Sequence, residues 1–388
     1  MRRRPAPLRL VAALLTGTLM MAAGESRANR ILIPEEMSLS AAIDFAVPND
    51  TLSLAPGTYE RTPDPFIKAI VIEGRVPDDP PVIRRLEAGE VTLRHLHFEP
   101  DGPSSLNPIL LRLLGSARLE SCVFQGFGMT AIEIRDEVGE HDWLVVIDNC
   151  RFSELNVGIE AVLVHDGSRI EIRDTLFESS FFGINLVTPA RDCPTEPGAE
   201  PPPFGGGPAR IKLSRTNFSG MANATILARN AAWALDLIDC TIEESPLGIW
   251  LDRAGARMDR LDLRGLVGSS TGIRAISSRL EMTSSRVHQH AIGIEMTDAE
   301  GCERPAGVIG GSLVGSCRLD TNTQSLATTH PINADYNWWG TLICSEAQEF
   351  IQGVTVRFLT DATGTQIIEC LTPVEPATWS RIKARLAP

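Results

Sequence analysis

The sequence predicts an all-β chain wound as a parallel β-helix, a solenoid whose short strands stack coil upon coil. Three observations carry that prediction. The 388 residues are 43% apolar and 22% charged, a globular composition too long for one ordinary core unless the architecture is elongated or repetitive. One eight-residue frame recurs along the chain: apolar, x, apolar, x, turn residue, small residue, x, aromatic or aliphatic. Between its copies there is room for short period-2 strands but for no segment of helix length, which excludes a solenoid of alternating strands and helices.

The copies end at Phe124 (RLESCVF), Phe152 (VIDNCRF), Phe177 (IEIRDTLF), Phe218 (IKLSRTNF), Ile242 (LDLIDCTI) and Val287 (LEMTSSRV). An earlier copy, VTLRHLHF, ends at Phe98, and a weaker one, LRGLVG, falls near Val267. The long gap before Phe218 holds a Pro/Gly-rich insertion, residues 189–208. Six to eight residues after each anchor comes a second strand, often opened by Gly-Ile, as at Gly158-Ile159, Gly183-Ile184, Gly248-Ile249, Gly272-Ile273 and Gly293-Ile294. Coils stacked at about 4.8 Å would give a rod of roughly 45 to 50 Å. The anchors form an inner aromatic column. Cys122, Cys150, Thr175, Thr216, Cys240 and Ser285 share one small inward slot, where a free thiol behaves as a small hydrophobe. Both columns are expected to serve packing.

The amino terminus reads as a secretory signal over residues 1–28: arginines at 2, 3 and 4, an apolar stretch from Leu10 to Ala23, then small residues. No later apolar run approaches the roughly 20 residues of a membrane span, so a secreted or periplasmic protein without a membrane span is expected. The formal charge is −13, and loss of residues 1–28 takes it to −17, which argues against nucleic acid as a partner. Export permits disulfides. Of the eight cysteines, Cys302 with Cys317 and Cys344 with Cys370 are the expected pairs, and the lack of a CxxC argues against a metal site.

A solenoid end needs covering. SLSAAIDFAV places Leu39, Ala42, Ile43 and Ala46 on one helical stripe that Pro48 stops, so a short amphipathic capping helix is expected. This helix, followed by the strand-and-turn segment NDTLSLAPGTYE, resembles the opening of right-handed parallel β-helix proteins of the pectin-lyase-like superfamily. DYNWWG, Asp335 to Gly340, resembles the segment that closes the repeat in many bacterial members. The resemblance spans about residues 31–375, giving one β-helix domain over 29–375 and a basic tail over 376–388. It implies the right-handed sense, in a superfamily of lyases, hydrolases, epimerases, adhesins and proteins without known activity.

In the pectate-lyase branch the groove lies over the equivalent of the Gly-Ile strand, with metal-binding carboxylates and an arginine pointing outward. Here the outward position after each Ile gives the column Glu133, Glu160, Asn185, Leu227, Trp250, Arg274 and Glu295. Two residues on stand Arg135, Val162, Val187, Arg229, Asp252, Ile276 and Thr297. Glu133 and Glu160 fall on neighbouring coils, where like charges raise one pKa or recruit a cation. With Arg135 or Arg229 they are the candidate catalytic set, for acid and base work on a glycosidic bond or around Ca²⁺ that neutralises a uronate. Asn185, Trp250, Asp252 and Arg274 are candidate ligand-binding residues, the indole stacking on a sugar ring and Asp252 accepting hydroxyl hydrogen bonds. The bland alternative is a solvated column in which arginines offset glutamates.

The lyase motif of that branch is not evident, nor is a polygalacturonase-like aspartate pair. His95 and His97 form an HxH expected on one side of a strand, without a third metal ligand. The reading is therefore an extracytoplasmic β-helix that binds polysaccharide or another elongated ligand along its groove. A polysaccharide lyase or glycoside hydrolase, and a structural or adhesive surface protein, are the alternatives. No cofactor follows beyond Ca²⁺ in the enzymatic case. The insertion reads either as a lid beside the groove or as ornament.

Overall fold

The computed structural model describes residues 29–33, 38–60, 64–102, 109–136, 142–163, 167–187, 211–229, 235–266, 269–297, 310–313, 317–328, 337–339, 344–349, 351–352, 358–360 and 367–370. The signal segment, the insertion over 189–208 and the tail over 376–388 lie outside them. The chain is a parallel β-solenoid with three strand ladders. The groove sheet carries the Gly-Ile strands, among them Thr130–Arg135, Val157–Val162, Phe182–Val187, Ala224–Arg229, Leu247–Asp252, Thr271–Ile276 and Ile292–Thr297. A lateral sheet carries the strands that precede each turn, from Ala117–Glu120 through Leu144–Asp148 to Arg279–Thr283. An anchor sheet of ten short strands runs from Thr58–Tyr59 to Arg286–His288. Among the described residues no helix is long and apolar enough to cross a membrane.

In-register pairing turns the recurring frame into columns. Phe98, Phe124, Phe152, Phe177 and Phe218 are register partners, with successive ring centroids 4.5 to 4.9 Å apart and planes within 13°. Ile242 continues the column, and Tyr59 and Ile83 extend it upstream of the first copy read from sequence. The next anchor is Leu263, which pairs with Ile242 and Val287, and not a residue near Val267. The copy is MDRLDL, in which bulky Leu261 fills the slot, as Leu96 does in the copy that ends at Phe98.

That slot does more than pack. The backbone N–H of Cys122 donates to Cys150 Sγ at 3.4 Å, that of Cys150 to Thr175 Oγ1 at 3.4 Å, and that of Leu261 to Ser285 Oγ at 3.1 Å. Cys150, Thr175 and Ser285 therefore each satisfy an N–H on the coil before, which accounts for small hydrogen-bonding side chains at these slot positions. Cys317 belongs to the same system, its N–H donating to Asn337 Oδ1 at 3.1 Å. It is a free, buried thiol, pushed up to about 11 by burial. The expected Cys302–Cys317 bond is thereby corrected: the Cys317 side chain points into the core. Cys370 is disulfide-bonded, to a partner outside the described side chains.

The residue before the slot adopts a left-handed turn conformation at Ser121, Asn149, Asp174, Arg215, Asp239, Arg260 and Ser284, with φ between 48° and 54°. Asn and Asp tolerate this region and Arg does not favour it. Arg215 is held there by two 2.7 Å hydrogen bonds to Asp174, and Arg260 donates through Nη2 to Asp239 at 3.0 Å. These guanidiniums hold both aspartates below the usual carboxylate range. His95 occupies a turn of this kind, with φ 51°, while His97 lies in the following strand. The HxH therefore does not share one strand face.

The helix α1, Leu39–Phe45, forms where expected. Ser38 Oγ accepts the N–H of Ala41 at 3.2 Å, Leu39, Ala42 and Ile43 enter the core, and Lys68 Nζ donates to the carbonyl of Ile43 at 2.7 Å. The glycine of Gly-Ile is sterically required: a Cβ on Gly158 would stand 2.5 Å from the Gly183 carbonyl oxygen and 2.8 Å from Phe177 Cε1.

Two outcomes follow from this packing. Phe152→Ala opens a hole inside the stacked column and should lower unfolding free energy by about 3–5 kcal/mol in urea titrations. His290, 2% exposed, has Nδ1 3.0 Å from Ser270 Oγ, and burial lowers its pKa to about 4. The unfolded chain then binds the extra proton between its own pKa near 6.5 and the folded value. Stability should fall as pH drops from roughly 6.5 to 4, by a few kcal/mol at most, and His290→Gln should flatten that slope of midpoint against pH.

Candidate functional site

Every third ladder step along the chain brings distant residues onto one face. The outward column of the groove sheet reads Glu87, Arg112, Glu133, Glu160, Asn185, Leu227, Trp250, Arg274, Glu295, each the register partner of the next. Beside it run Arg135, Val162, Val187, Arg229, Asp252, Ile276 and Thr297. Strand pairing alone puts successive members about 4.8 Å apart.

Glu133 and Glu160 are neighbours, as the spacing predicts, but they differ in surroundings. Glu133 is 5% exposed. Its Oε2 accepts from Arg112 Nε and its Oε1 from Arg135 Nε, the latter at 2.9 Å. Arg112 also lies 3.7 Å from Glu87, which Arg85 pairs from the other side. The result is an alternating chain, Arg85, Glu87, Arg112, Glu133, Arg135, in which both oxygens of the buried carboxylate are already taken by guanidiniums. Glu160 is half-buried and has no hydrogen-bond or ion-pair partner among the described residues.

Further along the face, the pairing continues. Arg274 Nε contacts Glu295 at 2.6 Å, and Asp252 is paired with Arg253 at 3.2 Å. The guanidinium carbon of Arg229 lies 5.5 Å from the ring centroid of half-buried Trp250, a cation–π geometry that fixes the indole plane. Asn185 Oδ1 and Trp250 Nε1 are buried and unbonded. The four candidate catalytic residues thus do not converge. Arg135 pairs with Glu133, while Arg229 stands three coils away, on the order of 14 Å, against Trp250. Leu227, 3% exposed, separates the two groups. Among the described residues no group of three or more His, Cys, Asp or Glu side chains is arranged to hold a metal ion.

Sequence reasoning missed Arg112, which donates through Nε to Glu133 Oε2. Its strand, Ile109–Leu113, starts eleven residues after Phe98, outside the six-to-eight spacing of the other coils, so the arginine was never placed in the column. It also missed a shallow cleft on the lateral sheet, lined by Asp236, Arg257, Asp259, Glu281 and Thr283 among others. Burial raises the Asp236 carboxyl there, and Arg257 pairs with Glu281 at 3.2 Å.

No family model matches the sequence, and no curated protein matches it. Among solved structures, the chain is similar to the periplasmic alginate epimerase AlgG, with 9% identity, a TM-score of 0.49, and coverage of 80% of this chain and 84% of that one. It is also similar to a mannuronic acid specific polysaccharide family 6 lyase from human gut microbiota (11% identity, TM-score 0.43, 92% and 94% covered). A third is the tailspike protein gp49 of Acinetobacter baumannii bacteriophage Fri1, a capsular polysaccharide depolymerase (10% identity, TM-score 0.41, 82% and 62% covered). The class that the chain's own ladders define is a parallel β-helix with a charge-lined groove sheet.

The unequal surroundings of the two glutamates give a direct stability contrast. Glu133→Gln removes the anionic acceptor that Arg112 and Arg135 share and should cost about 1–3 kcal/mol, whereas Glu160→Gln should stay within about 0.5 kcal/mol. Urea midpoints of the two variants check this, and equal losses would contradict the assignment.

Proposed function

We propose that the protein is an extracytoplasmic β-helix that binds a polysaccharide along the outer face of its groove sheet without turning it over. The observation that carries this reading is the internal pairing of the charges that would do chemistry. Glu133 is clamped by Arg112 and Arg135, Glu295 by Arg274, and Asp252 by Arg253. In Glu133 both carboxylate oxygens already accept from guanidiniums, so the side chain acts as a spacer between Arg112 and Arg135. What the face offers a ligand is half-buried Asn185, Glu160, which has no partner among the described residues, and an indole beneath the Arg229 guanidinium, which suits sugar hydroxyls and ring faces.

Charge defines the ligand further. Glu87, Glu133, Glu160, Asp252 and Glu295 are nearly offset by Arg112, Arg135, Arg229 and Arg274, so the face attracts a neutral glycan as readily as a charged one. The overall −13 repels a strongly anionic chain unless a cation intervenes. The segment 1–28, with its basic start and apolar stretch, supports export to the periplasm or beyond. An enzymatic reading rests on one observation, that Glu160 has no hydrogen-bond or ion-pair partner among the described residues, which suits acid–base work on a glycosidic bond.

A glycan array probed with the exported form tests the proposal. Binding to at least one polysaccharide is expected, weakened about three- to tenfold by Trp250→Ala and by Glu160→Gln. Silence across the array, or binding indifferent to both substitutions, overturns it. Release of reducing or unsaturated ends that Glu160→Gln abolishes would establish the enzymatic reading in its place.

A further inference from the structure

Side chains of a strand alternate between its two faces, so each groove strand turns outward two residues that stand two positions apart, about 6.6 Å along the strand. On the strand Val157–Val162 these are Glu160 and Val162, and on Phe182–Val187 they are Asn185 and Val187. The residues between them, Ala161 and Leu186, are fully buried. Register pairs Glu160 with Asn185 and Val162 with Val187, one coil or about 4.8 Å apart. The ladder thus builds a tile of two by two, a polar pair beside an apolar pair, with all of its members half-buried.

The coils on either side are different. On the coil before, both oxygens of Glu133 accept from guanidiniums, and Arg135 stands where the tile has a valine. On the coil after, Leu227 is buried and Arg229 lies against Trp250. Within the tile neither Glu160 nor Asn185 has a hydrogen-bond partner among the described residues. Asn185 buries its Oδ1 and leaves Nδ2 to the solvent, which also reaches both oxygens of Glu160. The tile therefore offers an anionic acceptor, an N–H donor and a small apolar surface, side by side.

We propose that Glu160, Asn185, Val162 and Val187 form a subsite for the acetamido group of an N-acetylhexosamine within an uncharged glycan. The inference deepens the glycan-binding reading and rests on it. An acetamido group carries the complement of all three features: an N–H for Glu160, a carbonyl oxygen for Asn185 Nδ2, and a methyl for the valines. A hydroxyl serves the polar pair but leaves the valines uncovered. An ammonium satisfies Glu160, yet it offers Nδ2 no acceptor and brings a hydrated charge onto apolar surface. The carboxylate of a uronate meets Glu160 as a like charge and is turned away.

Isothermal titration with chitohexaose and an N-acetyllactosamine hexasaccharide, against cellohexaose and the fully deacetylated glucosamine hexamer, tests the assignment. At least one acetylated probe should bind about ten times more tightly than cellohexaose. Asn185→Ala should cut that preference about three- to tenfold, and Val162→Thr and Val187→Thr about two- to threefold each, with melting temperatures unchanged. Trp250→Ala should weaken acetylated probes and cellohexaose alike and leave their ratio intact. If all probes bind equally and Trp250→Ala weakens them, the acetamide assignment fails and the groove reading survives. A preference that outlasts all three tile substitutions overturns the assignment, as does tightest binding of the deacetylated hexamer, for which charge pairing with Glu160 suffices. Silence of both acetylated probes at millimolar concentration also overturns it, and the array then decides the groove reading on its own.

Discussion

Parallel backbone pairing in strict register, repeated coil after coil, is the constraint from which the other features descend. A parallel ladder fixes each residue beside its counterpart one coil away at about 4.8 Å, so every position of the repeat becomes a column of the solid. What suits one member of a column must suit its neighbours. The phenylalanine rings stack because they have no other geometry available to them. The glycine before each isoleucine is small because the next coil's ring and carbonyl occupy the space where its Cβ would go. The Cys, Ser, Thr and Asn slot accepts the N–H of the previous coil because each tight turn leaves one to be satisfied.

The same constraint shapes the outer face, with a different outcome. Identical charges in a column repel at one-coil spacing, and the chain answers by alternating them. Arg85, Glu87, Arg112, Glu133 and Arg135 form one such run on the groove sheet, and Asp174, Arg215, Asp239 and Arg260 another in the turns. A face built this way is internally neutral and hydrogen-bonded before any ligand arrives. It directs attention to Glu160, which has no hydrogen-bond or ion-pair partner among the described residues.

Much of this was legible in the sequence, for a physical reason. A solenoid repeats its environment, so a repeated environment writes a repeated pattern, and the inner phenylalanines and the outward Glu133 and Glu160 could be placed by counting. What escaped was whatever broke the count. The copy anchored by Leu263 has neither a small slot residue nor an aromatic anchor, and a long connection before Ile109 removed Arg112 from its column. The pairing of Cys302 with Cys317 failed because a cysteine near the end of the repeat looked external, when Cys317 in fact continues the slot column. His95 and His97 were taken for strand neighbours because the turn conformation of His95 has no signature in the letters. The double pairing of Glu133 was illegible for the same reason, since one of its two partners, Arg112, lies on a coil that could not be counted.

The account stands or falls on the register of the groove face, and a distance between two of its members tests that register directly. Nitroxide labels at Glu160 and Arg274, far apart in sequence and four coils apart in the column, can be measured by pulsed electron paramagnetic resonance. A single narrow distribution with a backbone separation of roughly 19 Å is the predicted result. A broad distribution, or a separation beyond about twice that value, would contradict the stacked column and with it every assignment on the face.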